Sequence, residues 1–357
     1  MSLFSNTALA GFAAAAALLG APQSASAQTY TLQVLAPFGK LAYAWPEAID
    51  EAGVASGAGR RKNESMYYPV LWTNGRAKVL KNPEQWSFDM ARLSAQNNYM
   101  VAYAYDRSLS VLWRPDGSIT PFASFAPAGE PCGCMALDVD SQGHAVGLAY
   151  KNGVQQPVLW TDPALPPTVL PAPAGVSFPE AYRTAANGWV IGFGFGSDGY
   201  YSTMVWKDGQ LQDMSALSGL TGSIFDDIND HGTAAGSYID FGRDTEMPML
   251  WKAGQLELLA TAQYQGCSVS AINNLDLPVG SCDGRAVIWK DGVPTLLTSL
   301  LSADTQAAGW VVELTLAIND QGDILAQVRN TTRQNQDSET YAVLKPISNA
   351  GARRLTR

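Results

Sequence analysis

One pattern of apolar and polar positions recurs along the chain: an apolar residue, two or three polar ones, a turn residue, two or three small or branched apolar residues, then Gly or Ala. Its clearest copies are Ile228-Asn229-Asp230-His231-Gly232 and Ile318-Asn319-Asp320-Gln321-Gly322. Aligned on the turn residue, the copies fall at Gly53, Asn98, Gly143, Gly188, Gly232, Asp276 and Gly322, spaced 45, 45, 45, 44, 44 and 46 residues apart. A fixed period of this size marks a repeat architecture. Gly, Asn and Asp accept positive φ most easily, so each copy reads as a hairpin corner. Four residues beyond each corner stands Gly57, Ala102, Gly147, Gly192, Gly236, Gly280 or Ala326, always small, which predicts a strand position crowded by another group.

A second phrase follows each corner, an apolar stretch ending in Trp: Trp72, Trp113, Trp160, Trp206, Trp251 and Trp289, with Ala342-Val343-Leu344-Lys345 as a seventh copy that lacks the Trp. Asn74-Gly75, Asp116-Gly117, Asp208-Gly209 and Asp291-Gly292 come next, dipeptides suited to two-residue type I′ hairpins, and a further short apolar strand follows each. In the fifth unit Ala253-Gly254 replaces the Asx-Gly pair. Each unit therefore reads as four antiparallel strands, and seven such units predict an all-β fold, a seven-bladed β-propeller. A β-sandwich would not repeat identical groups of four, and a parallel β-helix needs shorter coils. The seventh unit lacks its fourth strand, while Tyr30-Thr31-Leu32-Gln33-Val34-Leu35 stands alone before the first unit. That segment is expected to complete the last blade as its outermost strand and close the ring, with Arg353–Arg357 as the weaker competitor.

Ahead of the repeats, an apolar run from Ala8 to Leu19, then Pro22 and the small residues Ala25-Ser26-Ala27, reads as an export signal over residues 1–27. The run is shorter than a bilayer-spanning helix requires. The propeller is expected over 28–347 and a disordered tail over 348–357. Secretion or a periplasmic location follows, without membrane insertion, and a monomer is expected. The formal charge is -9, and the longest basic run is Arg60-Arg61-Lys62, so nothing resembles an electrostatic footprint for nucleic acid.

In an exported chain the four cysteines can oxidise. Cys267 and Cys282 flank the sixth corner symmetrically, which predicts a cross-strand disulfide against the alternative of two buried thiols. Cys132 and Cys134 leave a strained bridge, a metal-binding thiolate pair or free thiols open. His144 and His231, the two histidines, both lie at corners and read as turn residues, which removes most histidine-based triads and metal sites. Asp138 to Gly143 and Asp227 to Gly232 superficially resemble calcium loops, but neither has the downstream bidentate Glu, and turn chemistry explains the Asx residues. No metal or other cofactor is expected.

The phrase I-N-D-x-G-x-x-x-G followed by a hydrophobic-Leu-Trp strand resembles the HAF-type extracellular repeat family of bacterial exported proteins. The resemblance covers all seven units, strongly in units one, three, five and seven and in degenerate form in two, four and six. It implies export and a repeat architecture, and no particular chemistry.

The first-to-second and third-to-fourth strand turns share one face of a propeller and are short and regular here. The remaining connections share the opposite face and vary in length, which marks the binding side. Candidate ligand-binding residues there are Tyr67, Tyr68, Trp86, Tyr105, Arg107, Tyr200, Tyr201, Phe241, Arg285 and Trp310. Aromatics among scattered acids and arginines suit a glycan or a protein surface. The expected function is therefore a binding propeller without catalytic residues. The alternative is a carboxylate-based glycoside hydrolase or polysaccharide lyase, which would need two converging carboxyls with one strongly desolvated.

Overall fold

The computed structural model describes residues 28–36, 41–81, 86–94, 99–114, 116–127, 133–220, 222–333 and 339–347. The proposed export segment, the tail from 348 and the corner residue Asn98 lie outside the described residues. Seven four-stranded antiparallel sheets succeed one another, and six are built from consecutive strands. In the seventh, Trp310–Ile318, Ile324–Asn330 and Glu339–Pro346 are joined by Tyr30–Val34 from the other end of the chain, in register from Tyr30 opposite Pro346 to Val34 opposite Ala342. The predicted seven-bladed propeller and its N-terminal closure are both present. Closure is mechanical as well as topological: Tyr30 is 1% exposed and packs with Leu300, Leu301, Val312 and Leu344 between the sixth and seventh blades.

Apolar side chains do not gather in one core. They form layers between neighbouring blades, such as Val101 and Leu112 of blade 2 against Ala136 and Trp160 of blade 3, or Val205 of blade 4 against Phe225 and Trp251 of blade 5. The repeated Trp is the anchor of these layers. The indole N–H of Trp72, Trp160, Trp206 and Trp289 donates to the carbonyl of Ala36, Ala123, Pro171 and Ala260, each lying just past the outermost strand of the preceding blade. Each Trp thus covers apolar surface and ties one blade to the next with a hydrogen bond.

The described corner residues take positive φ, from +54° at Asp276 to +87° at Gly143. The small residue four places on has an equally local cause. In six blades the innermost strand carries a β-bulge at the same level, as between Ala136 and Asp138 or between Phe225 and Asp227. The bulge turns a carbonyl toward the second strand. A methyl group on Gly57, Gly147, Gly192, Gly236 or Gly280 would lie 1.8–2.0 Å from the carbonyl oxygen of Trp45, Met135, Glu180, Ile224 or Ser268. Blade 2, which has Ala102, runs through this level without a shift, whereas blade 7 carries Ala326 opposite its bulge.

Two details depart from the sequence expectation. The Asp116-Gly117 turn is not a two-residue type I′ hairpin, since only Gly117 has positive φ and the turn is closed from Arg114 to Ser118. Conversely, Ala253 takes φ +49° beside Gly254 at +84°, so the fifth unit keeps the type I′ geometry despite its Ala. Cys267 and Cys282 face each other in register and are joined by a disulfide. Cys134 is also disulfide-bonded, and Cys132 lies outside the described residues. No helix among the described residues is long and apolar enough to cross a membrane.

Candidate functional site

The face of the regular corners is a ring of blade-to-blade hydrogen bonds. In blades one, three, five, six and seven the carboxylate or amide oxygen three residues before the turn position accepts from its own corner, as Asp140 does from the N–H groups of Gln142 and His144, and Asn229 from those of His231 and Thr233. These are Asx turns, so the calcium-like appearance of both segments comes from corner chemistry. His144 belongs to the same turn, with Nδ1 3.0 Å from Asp140. The asparagine amides reach across blades: Asn229 donates to the Asn273 carbonyl, Asn273 to that of Asn319, and Asn319 to that of Asp50. A second string runs beside the first, from the Ala186 N–H to Asp230, the Asp230 N–H to Asn274, the Asn274 N–H to Asp320 and the Asp320 N–H to Glu51. The I-N-D phrase is therefore a clasp between blades four, five, six, seven and one.

Innermost strands from all seven blades surround a cavity of about 120 Å³ on the propeller axis, lined by Glu51, Arg92, Asp138, Asp227, Asp230 and Asp320 among others. Charge converges on the innermost strands at and beside this cavity from separate blades. Arg92 donates to Asp138 at 3.3 Å, and the other oxygen of Asp138 accepts from the Thr184 N–H. Burial disfavours the Arg92 charge, yet Asp138, Tyr182, Glu47 and Asp227 hold its pKa above the ordinary value. Arg183 is lowered by burial and by Arg92; its Nη atoms donate to the Tyr182 carbonyl and hydroxyl. Asp226, the bulge residue of blade 5, is pushed up to about 7, chiefly by burial and further by Glu246 and Asp227, against the pull of Arg183. Asp227 is pushed up to about 6 by burial, although the Ile272 N–H, Arg183 and Arg92 favour its charged form. Blades 6 and 7 contribute small or apolar residues at this level, Ser270, Ala271, Leu316 and Ala317.

Aromatic rings cluster toward the variable face. On blade 1, Tyr43, Arg60 and Tyr67 stand directly opposite one another on the first three strands. The Arg60 guanidinium carbon lies 5.3 Å from the Tyr43 ring centre and 5.7 Å from that of Tyr67. Trp45, two residues along from Tyr43, lies within 12° of parallel to it and 5.4 Å from Tyr67. Tyr68 donates to Glu64 and carries Arg61 on its face. On blades 4 and 5, Tyr201 meets Phe195 and Phe193, Phe193 meets Tyr182, and Tyr200 meets Phe241. A line of rings thus runs from the exposed Phe195 to Tyr182 on the innermost strand of blade 4.

The structure brings Tyr67 and Tyr68 into one group and Tyr200, Tyr201 and Phe241 into another. Tyr105 is exposed in a short 3₁₀ turn beside Arg107, which pairs with Asp106 at 3.8 Å. Arg285 lies over Tyr264, whereas Trp86 and Trp310 are half-buried and pack on the core. Sequence reasoning over the variable connections did not reach Tyr43, Arg60, Arg183 or Asp226, because these sit on strands. A signal was available for the first two. Cys267 and Cys282 stand nine before and six after Asp276, and Tyr43 and Arg60 stand ten before and seven after Gly53, so the same symmetry about the corner pairs both.

The fold and site define a seven-bladed propeller with a charged channel and an aromatic rim. No family model matches the chain, and no curated protein matches it. Among solved structures it is similar to the β-propeller domain of the Trilobed protease from Pyrococcus furiosus, at 9% identity and a TM-score of 0.55 over 90% of this chain and 100% of that one. It is similar also to one of two prolyl endopeptidases (12%, 0.54, covering 88% of this chain and 47% of that one) and to a Mycobacterium tuberculosis puromycin-hydrolyzing peptidase (11%, 0.53, covering 88% and 56%). At these identities the likeness is one of fold alone.

Proposed function

We propose that this chain is an exported binding propeller, secreted or periplasmic, built from HAF-type repeats and recognising a glycan or protein ligand through its variable face. The observation that carries this reading is the set of exposed rings at that face: the stacked Tyr43 at 56% and Trp45 at 39% on blade 1, and Tyr200, Tyr201 and Phe241, with Tyr200 edge-on to Phe241, on blades 4 and 5. Apolar rings held in water by strands and by one another are a standing binding surface, and their flat faces suit saccharides over irregular protein surfaces. The disulfide fits an oxidising compartment. Probing a glycan array with the mature protein tests the reading. Binding that falls at least about tenfold in Trp45→Ala or Tyr201→Ala supports it, and capture of no glycan overturns the glycan preference.

The desolvated Asp226 favours a second reading, a hydrolase or lyase working in the channel, since a carboxyl kept neutral near pH 7 suits a general acid. Product release from polysaccharides by the wild type, abolished in Asp226→Asn, is the outcome that reading requires. Binding without product release leaves the first.

A further inference from the structure

The chain carries a formal charge of -9, yet its longest basic run, Arg60-Arg61-Lys62, sits on the blade 1 rim beside the stacked rings. Arg61 has a counter-ion, Glu64 at 3.7 Å. Arg60 has none among the described residues, and its Nε is buried without a hydrogen-bond partner among them. Two tyrosine rings, fixed opposite it by strand register, hold the guanidinium plane. Such a group loses little further freedom on pairing, and its two Nη atoms match a carboxylate through two parallel hydrogen bonds. Next to it, Tyr43 and Trp45 present flat apolar surface with ring centres 6.3 Å apart. A ligand that satisfies both features carries a carboxylate and an apolar ring face a few ångströms apart.

We infer that the blade 1 rim is a subsite for a uronate residue of an acidic saccharide, with Arg60 taking the carboxylate and the Tyr43–Trp45 surface taking the pyranose face. The inference rests on the glycan-binding reading and names its ligand class. An acidic peptide would satisfy Arg60 and leave the ring surface uncovered. The overall negative charge disfavours a long polyanion, while the local surplus of Arg60, Arg61 and Lys62 over Glu64 accommodates one or two uronates.

The test is calorimetric titration of the mature, oxidised protein with hexamers of galacturonate and of mannuronate, with the fully methyl-esterified galacturonate hexamer, and with hexaglutamate. Wild type is expected to bind a uronate hexamer at least about tenfold more tightly than the ester. Arg60→Met, which keeps an apolar stem between the tyrosines, is expected to bring that ratio within about threefold; Arg60→Gln supplies the same reading should Arg60→Met fail to fold. Trp45→Leu is expected to weaken acid and ester alike. Equal binding of acid and ester, or a ratio unchanged by either Arg60 variant, overturns the subsite and leaves glycan binding standing. Hexaglutamate bound as tightly as the uronates overturns it in favour of an acidic peptide. Failure of both uronate hexamers while the glycan array captures neutral sugars removes the subsite alone, and failure of every saccharide removes both readings.

Discussion

At the residue scale, the repeated Trp shows how one side chain serves two needs. Its rings fill the layer between blades, and its N–H satisfies a carbonyl in the preceding connection. Trp251 breaks the pattern: its indole N–H is buried without a hydrogen-bond partner, and the ring instead meets Trp189 edge-on at 6.3 Å. The position equivalent to the other acceptors, Asp213, stands just before the 3₁₀ turn Ser215–Leu217. Trp289→Phe removes a made bond and leaves the Ala260 carbonyl behind, whereas Trp251→Phe removes a donor that had no acceptor. The first substitution is therefore expected to cost about 1–2 kcal/mol more than the second, measured by urea unfolding of both variants. Equal losses would show that ring volume alone matters. All six Trp positions were legible as packing anchors, but a pattern of residue types could not reveal which of them lacks its acceptor.

At the element scale, the bulge on the innermost strand governs both architecture and chemistry. It brings a carbonyl against the second strand, where five of the six bulged blades have Gly and blade 7 has Ala326, and it adds a residue to the innermost strand at Glu47, Leu137, Tyr182, Asp226, Ser270 and Leu316. Gly236→Ala places a methyl carbon 2.0 Å from the Ile224 oxygen. Backbone stands on both sides, so the strand pair must move, at a cost of about 3 kcal/mol or more. Ala102→Gly in blade 2 is expected to cost only about 1 kcal/mol, through chain entropy and a lost methyl contact. Thermal unfolding of the two variants distinguishes a bulge-imposed glycine from a merely small residue. The sequence marked this position as crowded but did not show that a bulge crowds it, since the bulge residues Glu47, Leu137, Tyr182, Asp226, Ser270 and Leu316 share no residue type. The same blind spot hid Asp226.

At the scale of the whole molecule, closure and the channel both depend on strands far apart in sequence. Removing residues 28–35 from the mature chain leaves Glu339–Pro346 as an open edge and uncovers the layer around Leu300 and Leu344. The shortened protein is expected to self-associate or unfold at a lower temperature, checked by size-exclusion chromatography and calorimetry. Retention of a monomer with an unchanged midpoint would show the clasp to be dispensable. The channel acids predict a pH dependence of definite sign. Asp226 at about 7 and Asp227 at about 6 bind protons more tightly in the folded chain than at their ordinary value of 3.8. The folded state therefore holds more protons than the unfolded one across that interval. Their contribution favours folding below pH 3.8 and is lost as pH rises through 6 and 7. Asp226→Asn is expected to raise stability at pH 8 by on the order of 2 kcal/mol, after allowance for solvent screening, and to leave it unchanged near pH 3.5. Denaturant melts at the two pH values check this, and an equal effect at both would mean that Asp226 acts through packing.

The sequence by itself determined the repeat, its phase, the closing strand and the Cys267–Cys282 pair, because each follows from contacts within a unit or from one unpaired strand at either end. It also indicated which face varies. Only the tertiary structure decided what the ring brings together: Arg92, Asp138, Arg183 and Asp226 meet because seven innermost strands converge on one axis, and Arg60 stands between two tyrosines because strand register places it there. Local pattern reports how each strand is built. Burial, charge and the shape of a site belong to the space between strands, which forms only when the ring closes.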